Sequence, residues 1–140
     1  MGLTVLDASV LIGFLDRNDR HHRGSVDAIR DGLSRGDELI VPLVAYAEVL
    51  VGAIRQQGTR AQPLLDDLLS SLPARVIDAT LEVGAIAADL RARHGSLRLP
   101  DAFILATAIA EGADRILTAD RGWPRVDQVI QQVVAKDPDD

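Results

Sequence analysis

The chain has 140 residues, a formal net charge of −6 and a hydrophobic content of 47%, which excludes a disordered protein and fits one soluble domain. It contains no cysteine, which excludes disulfides, thiol catalysis and cysteine-ligated metal centres. No apolar run has the length of a membrane span and no basic leader begins the chain, so we expect a cytoplasmic protein. We predict a single domain over residues 1–136 and a short, frayed acidic tail over 137–140.

Apolar runs punctuated by glycine and proline predict strands that alternate with helices along the chain. The predicted strands cover residues 3–6, 39–41, 75–77, 115–118 and 129–133. The predicted helices cover residues 10–15, 22–34, 44–57, 62–71, 80–94 and 100–111. This alternation indicates an α/β fold in which helices cover both faces of a central parallel sheet of four to five strands.

Four acidic residues interrupt apolar runs or follow predicted strands, and they are Asp7, Glu48, Asp101 and Asp120. Asp7 and Asp120 come just after strands, at the edge of a parallel sheet where ligands bind. Glu48 and Asp101 lie in the first turns of helices, so all four are expected to face that edge. A buried carboxylate cluster without Lys or Arg among it repels itself, which predicts a hard cation such as Mg²⁺ or Mn²⁺.

Each acid also has an ordinary structural explanation when it is taken alone. Asp7 could cap the helix that follows it, and Asp101 could interact with the dipole of its own helix. Glu48 could lie on the solvated side of its helix, and Asp120 could be a turn residue. The expected convergence of all four on one edge is what favours a shared site.

The basic side of the chain consists of 14 arginines and a single lysine, and arginine is suited to bidentate phosphate contacts. Arg17, Arg20 and Arg23 lie within seven positions, which indicates either a solvated helix entry or a patch that contacts phosphates. Trp123 is either part of the core or a platform on which a base stacks.

The predicted helices at 44–54 and 64–69 carry more Leu, Val and Ile than one amphipathic stripe requires. They either pack on the sheet and on each other or expose a surface for a protein partner. Other nucleotide and phosphate chemistries are not supported, because the chain has neither a phosphate-loop motif nor a dinucleotide-binding motif.

Four blocks of the sequence carry a family resemblance that extends over essentially the whole chain. They cover residues 5–11, 41–53, 99–108 and 113–120. In this order and at these separations they resemble the PIN-domain ribonucleases, and especially the VapC toxins of bacterial type II toxin–antitoxin systems. The resemblance implies a PIN-like α/β/α sandwich and an Mg²⁺-dependent endoribonuclease toxin, with Mn²⁺ as a substitute ion.

The resemblance also implies roles for individual residues. It assigns catalytic and metal-binding roles to the four acids Asp7, Glu48, Asp101 and Asp120, and supporting polar roles to Ser9 and Thr118. Our candidates for substrate binding are Arg17, Arg20 and Arg23. Metal-activated water would cleave RNA and leave 5′-phosphate and 3′-hydroxyl ends.

The implied partners are RNA, a cognate VapB-like antitoxin and a second copy of the chain. Gly122 stands where many relatives have an acid, which weakens the expectation of a second tightly held ion. The alternative is a catalytically silent PIN fold that serves as an RNA- or protein-binding module.

Overall fold

The computed structural model describes residues 2–126 and 128–138, which leaves Asp139 and Asp140 of the predicted tail outside the described residues. The strands are β1 (Leu3–Leu6), β2 (Glu38–Pro42), β3 (Ala74–Ile77), β4 (Arg115–Thr118) and β5 (Ile130–Val133). The α-helices are α1 (Ala8–Leu15), α2 (His22–Ser34), α3 (Leu43–Gln57), α4 (Ala61–Ser71), α5 (Leu81–Arg93) and α6 (Leu99–Ala110). A 3₁₀ turn, Gly58–Arg60, joins α3 to α4.

The five strands form one parallel sheet in the order β3-β2-β1-β4-β5. β1 lies at its centre, where Val5 is opposite both Ile40 on β2 and Ile116 on β4. The helices α1 to α4 connect strands toward the β3 side, whereas α5 and α6 return the chain from β3 to β4. Because parallel crossovers are right-handed, the two sets of helices cover opposite faces. The predicted α/β fold with its parallel sheet is therefore confirmed.

The centre of the sheet is mostly apolar and closed to solvent. Val5, Leu6, Leu39, Ile116 and Leu117 have no exposed surface, as expected for parallel strands with helices on both faces. This packing fixes the ends of β1 and β4, so the residues that follow the two strands start from rigid positions.

At the edge of the sheet where the strands begin, Asp37 connects the start of β1 to the turn before β2. Its carboxylate accepts hydrogen bonds from the Gly2 amide at 3.0 Å and the Thr4 hydroxyl at 3.1 Å, and it pairs with Arg35 at 3.0 Å. Burial alone would raise the pKa of Asp37, but these hydrogen bonds and the Arg35 charge hold it below its ordinary value. The amino-terminal strand is thereby fastened to the turn before β2.

The segment after β5 folds back toward the connection between α1 and α2. The Asp137 amide donates to the Arg20 carbonyl at 2.6 Å, and the Arg23 amide donates to Asp137 Oδ1 at 3.2 Å. These two hydrogen bonds connect Asp137 to the start of α2, and the frayed tail over 137–140 stays a prediction. Within the described ranges, no helix combines the length and apolar character needed to cross a membrane.

Candidate functional site

Asp7 lies where β1 ends and α1 begins, at the carboxyl edge of the sheet. Its amide extends the ladder by donating to the Leu117 carbonyl at 3.0 Å. Its carboxylate Oδ1 accepts from the Ala8 amide at 2.8 Å, which makes Asp7 the N-cap of α1. The capping explanation is thus correct, and it leaves Asp7 buried at the edge where ligands of parallel sheets bind.

Two hydroxyls hold the other oxygen of Asp7 and connect it to the loop after β4. Ser9 and Thr118 donate to Asp7 Oδ2 at 2.7 and 2.9 Å. Each hydroxyl also accepts one backbone N–H, from Ala119 to Ser9 and from Asp120 to Thr118, both at 3.0 Å. The two predicted supporting residues therefore link the ends of β1 and β4 and fix the orientation of the Asp7 carboxylate.

Burial and neighbouring negative charge raise the pKa of two of the predicted acids, Asp7 and Glu48. Burial raises the pKa of Asp7, the charge of Asp101 adds to it, and hydrogen bonds from Ser9 and Thr118 oppose it. Partial desolvation raises the pKa of Glu48, although the residue is exposed, and the charges of Asp7 and Asp101 raise it further. Mutual repulsion of this kind requires proximity, so three of the four predicted acids converge at this edge.

Arg98 stands among these acids, which corrects the expectation that no basic residue would. Its Nε donates to Asp101 Oδ2 at 3.3 Å, while its side chain stays 72% exposed. The charge of Asp101 and this hydrogen bond raise the pKa of Arg98, and Glu48 and Asp120 contribute as well. Asp101 itself is buried at the first turn of α6. The guanidinium therefore offsets part of the cluster's negative charge.

Asp120 reaches the same region from the loop after β4. Its Oδ1 accepts from the Gly122 amide at 2.7 Å, so the turn explanation is also correct. A Cβ at position 122 would lie 3.3 Å from that oxygen, so a side chain there would shift Asp120 slightly. Arg98, Asp101, Asp120 and Trp123 line one cleft of about 270 Å³, hereafter the acid cleft.

Among residues 2–126 and 128–138, no three His, Asp or Glu side chains are close enough to bind one ion as they stand. The reasons are local: hydrogen bonds hold both oxygens of Asp7, Asp101 pairs with Arg98, and Asp120 caps its own turn. The donors are nevertheless all carboxylates, which suit a hard cation. For the four predicted acids to bind one divalent cation, Arg98 has to move away from Asp101. The exposed side chains of Glu48 and Asp120 have to turn toward Asp7 and Asp101.

The model of one protein family matches residues 4–129, and that family is described as the PIN domain. This chain belongs to the PIN domain family. The PIN-like α/β/α sandwich expected from the sequence is thereby confirmed. No protein with curated annotation matches the chain significantly.

Solved structures of toxin–antitoxin systems share the fold of this PIN domain. VapBC2 from Rickettsia felis, bound to promoter DNA, aligns with a TM-score of 0.75 and 17% identity over 95% of this chain and 99% of its own. A toxin–antitoxin complex from Klebsiella pneumoniae aligns with a TM-score of 0.68 and 23% identity over 91% and 95%. VapC20 from Mycobacterium tuberculosis, described as a sarcin–ricin loop cleaving toxin, aligns with a TM-score of 0.67 and 18% identity over 88% and 98%. The resemblance to VapC toxins is thus confirmed for the fold.

The predicted phosphate patch of this PIN domain lies outside the acid cleft. The side chains of Arg17, Arg20 and Arg23 are exposed, and Arg17 lines a separate cavity between α1 and α2. Their contact with phosphates remains a prediction. Trp123 is buried, which confirms the interpretation of this residue as part of the core. Its indole N–H has no hydrogen-bond acceptor among the described residues.

The stability of the metal-free PIN domain should peak in mildly acidic solution. The raised pKa of Asp7 means that its ionised form destabilises the fold, so stability rises as pH falls from neutral toward the ordinary value of 3.8. The lowered pKa of Asp37 means that its contribution is lost as pH falls through that lowered pKa. The melting temperature should rise as pH falls from neutral and should decrease again at lower pH. Asp37→Asn should reduce the decrease at low pH. A decrease as large as that of wild type would contradict this account.

Replacing Thr118 with Val should destabilise the PIN domain by about 1–3 kcal/mol, because the buried Asp7 carboxylate loses a donor and the Asp120 amide loses its acceptor. Thr107→Val is the matched control, since this buried hydroxyl only donates to the Phe103 carbonyl within α6. Urea unfolding should show the larger loss for Thr118→Val. Equal losses would mean that the Thr118 hydroxyl does not support Asp7.

Proposed function

We propose that this PIN domain is the toxin of a toxin–antitoxin module, an Mg²⁺-dependent endoribonuclease that cleaves RNA phosphodiesters with water. The observation that carries the proposal is the convergence of Asp7, Glu48 and Asp101 at the carboxyl edge of the sheet, where the charge of Asp101 raises the pKa of both Asp7 and Glu48. The fold that it shares with VapC toxins supports the same activity, and one of those toxins is described as cleaving the sarcin–ricin loop.

In this mechanism Asp7 and Asp101 would hold the ion, and Glu48 and Asp120 would complete its ligand set. A bound divalent cation would lower the pKa of the attacking water and stabilise charge that develops on the phosphodiester. Ser9 and Thr118 keep the Asp7 carboxylate in one orientation through their hydrogen bonds to Oδ2. The Glu48 carboxylate, with its raised pKa, is suited to take a proton from the water.

Arg98 acts in this proposal as an internal cation that competes with the metal for Asp101. Arg98→Ala should tighten Mn²⁺ binding several-fold, because it removes the positive charge 3.3 Å from Asp101 Oδ2. The matched control is Arg93→Ala, which breaks a similar exposed pair with Asp89 on α5. A Mn²⁺ titration followed by electron paramagnetic resonance measures both. Unchanged or weaker binding by Arg98→Ala would contradict competition at Asp101.

Cleavage of total bacterial RNA tests the proposed activity. Antitoxin-free wild type should give discrete fragments with 5′-phosphate ends in Mg²⁺ and none in EDTA. Asp101→Asn should give none in either condition, and Asp89→Asn, an acid that pairs with Arg93 away from the cleft, should cut like wild type. Intact RNA from folded wild type that also fails to bind Mn²⁺ would favour the silent binding module.

A VapB-like antitoxin is the protein partner in this proposal, because several structures with the same fold are toxin–antitoxin complexes. Val51, Ile54 and Leu64 on α3 and α4 are about half exposed, and they form apolar surface for that antitoxin or for a homodimer. A cytoplasmic location fits such a partner. We expect co-purified antitoxin to abolish RNA cleavage; full activity in a stoichiometric complex would contradict it.

A further inference from the structure

A second cleft lies directly beside the acid cleft, across the loop of residues 119–126. This second cleft, hereafter the β5 groove, has a volume of about 390 Å³ and is lined by Arg121, Trp123, Arg125, Ile130, Gln131 and Val133. Trp123 lines both clefts, so one buried indole forms the wall between them. A ligand that occupies the β5 groove therefore lies next to Asp101 and Asp120.

The two arginines of the β5 groove are available to a ligand. Both side chains are exposed, and neither forms an ion pair with any described residue. Arg75 and Arg93, by contrast, pair with Glu38 and Asp89. Two guanidinium groups without carboxylate partners in residues 2–126 and 128–138 form a local positive site on a chain whose net charge is −6.

The β5 groove lies along the outermost strand of the sheet and combines polar with apolar side chains. The Ile130 and Val133 side chains of β5 are 57% and 38% exposed. Exposed apolar side chains beside two guanidinium groups match the chemistry of a single-stranded nucleic acid, whose bases need apolar contact and whose phosphates need arginine. By comparison, the cavity that Arg17 lines shares no residue with the acid cleft.

We infer that the β5 groove binds single-stranded RNA next to the cleaved phosphodiester, with Arg121 and Arg125 each contacting a phosphate. This inference rests on the proposed ribonuclease function and names the surface that delivers its substrate. The strand passes along Trp123 from the groove to the acid cleft. The carboxylates of the acid cleft repel the phosphates of RNA. The positive charges of Arg121 and Arg125 attract these phosphates and offset that repulsion.

Binding of a fluorescently labelled, mixed-sequence oligoribonucleotide in EDTA tests the groove without cleavage. We expect the Arg121→Ala, Arg125→Ala double variant to bind roughly tenfold more weakly than wild type at low salt. Its slope of log affinity against log salt should fall in magnitude by about 1.4, since each single-strand phosphate contact contributes about 0.7. The control is the Arg55→Ala, Arg60→Ala double variant, which changes net charge equally between α3 and α4.

The outcomes separate the groove from the proposed function. If wild type cleaves RNA with Mg²⁺ and the groove variant matches the control in affinity and salt slope, the groove inference is wrong and the ribonuclease stands. If an Arg17→Ala, Arg20→Ala variant carries the loss instead, the phosphate contacts belong to the α1–α2 connection. If the groove variant binds RNA normally but no longer co-purifies with antitoxin, the groove binds protein. If wild type neither binds nor cleaves RNA, both proposals fail.

Discussion

Replacing Asp7 with Asn is expected to lower the rate of Mg²⁺-dependent RNA cleavage by roughly 10³-fold. Asp7 is the predicted ligand whose position is fixed most firmly, because three hydrogen bonds hold its two oxygens. Asn has the same shape but no negative charge, so the variant loses attraction for a divalent cation while it keeps an acceptor for neighbouring donors. Initial rates on a defined RNA substrate measure the effect.

Asp16→Asn is the control for that experiment, since Asp16 caps the other end of α1 and is exposed. It should cleave like wild type. Thermal melting in EDTA should show that Asp7→Asn is folded, so a lost activity is not a lost structure. Cleavage by folded Asp7→Asn at the wild-type rate would exclude Asp7 from the reaction.

Gly13→Ala is expected to destabilise the protein by about 1–3 kcal/mol, the usual cost of overpacking a core. A Cβ at position 13 would lie 2.5 Å from the Ser25 hydroxyl oxygen and 3.1 Å from the His21 carbonyl oxygen. Ser25 is completely buried, so its side chain cannot move into solvent to make room. Glycine at this position is what lets α1 and α2 pack closely. Urea unfolding measures the loss.

Two further variants separate packing from helix propensity. Gly84→Ala on α5 meets no atom within 4 Å and should stabilise the protein by about 0.5–1 kcal/mol. Ser25→Ala removes a hydroxyl that has no hydrogen-bond partner among the described residues, so it should cost little alone and should partly rescue Gly13→Ala. Additive effects of the two substitutions would contradict a direct clash between positions 13 and 25.

Much of the fold could be predicted because its signals are local. Apolar runs located all five strands, and the cap at Asp7 explains why α1 begins at Ala8 rather than at the predicted Val10. The 3₁₀ turn Gly58–Arg60 was not predicted, since it is a short connection without its own apolar pattern. Strand order was also beyond the sequence argument, because it depends on the directions of the crossovers.

The site was predicted less completely because side-chain partners depend on packing. The sequence placed Asp7 and Asp101 at one edge, but it did not place Arg98 beside Asp101. The spacing of Arg98 and Asp101 at i and i+3 on the turn that opens α6 was the available signal. The sequence places Arg121 next to Asp120, but the groove that Arg121 shares with Arg125 arises only where the loop after β4 packs against β5.

Saturable binding of Mn²⁺ to the metal-free protein tests most directly whether the converging carboxylates form one metal site. Electron paramagnetic resonance titrations should compare wild type, Asp7→Asn and Asp101→Asn with the controls Asp16→Asn and Asp89→Asn. We predict that wild type and both controls bind with the same affinity and that each site variant binds at least tenfold more weakly. Identical titrations for all five proteins, or no saturable binding by wild type, would contradict the metal site and the ribonuclease mechanism built on it.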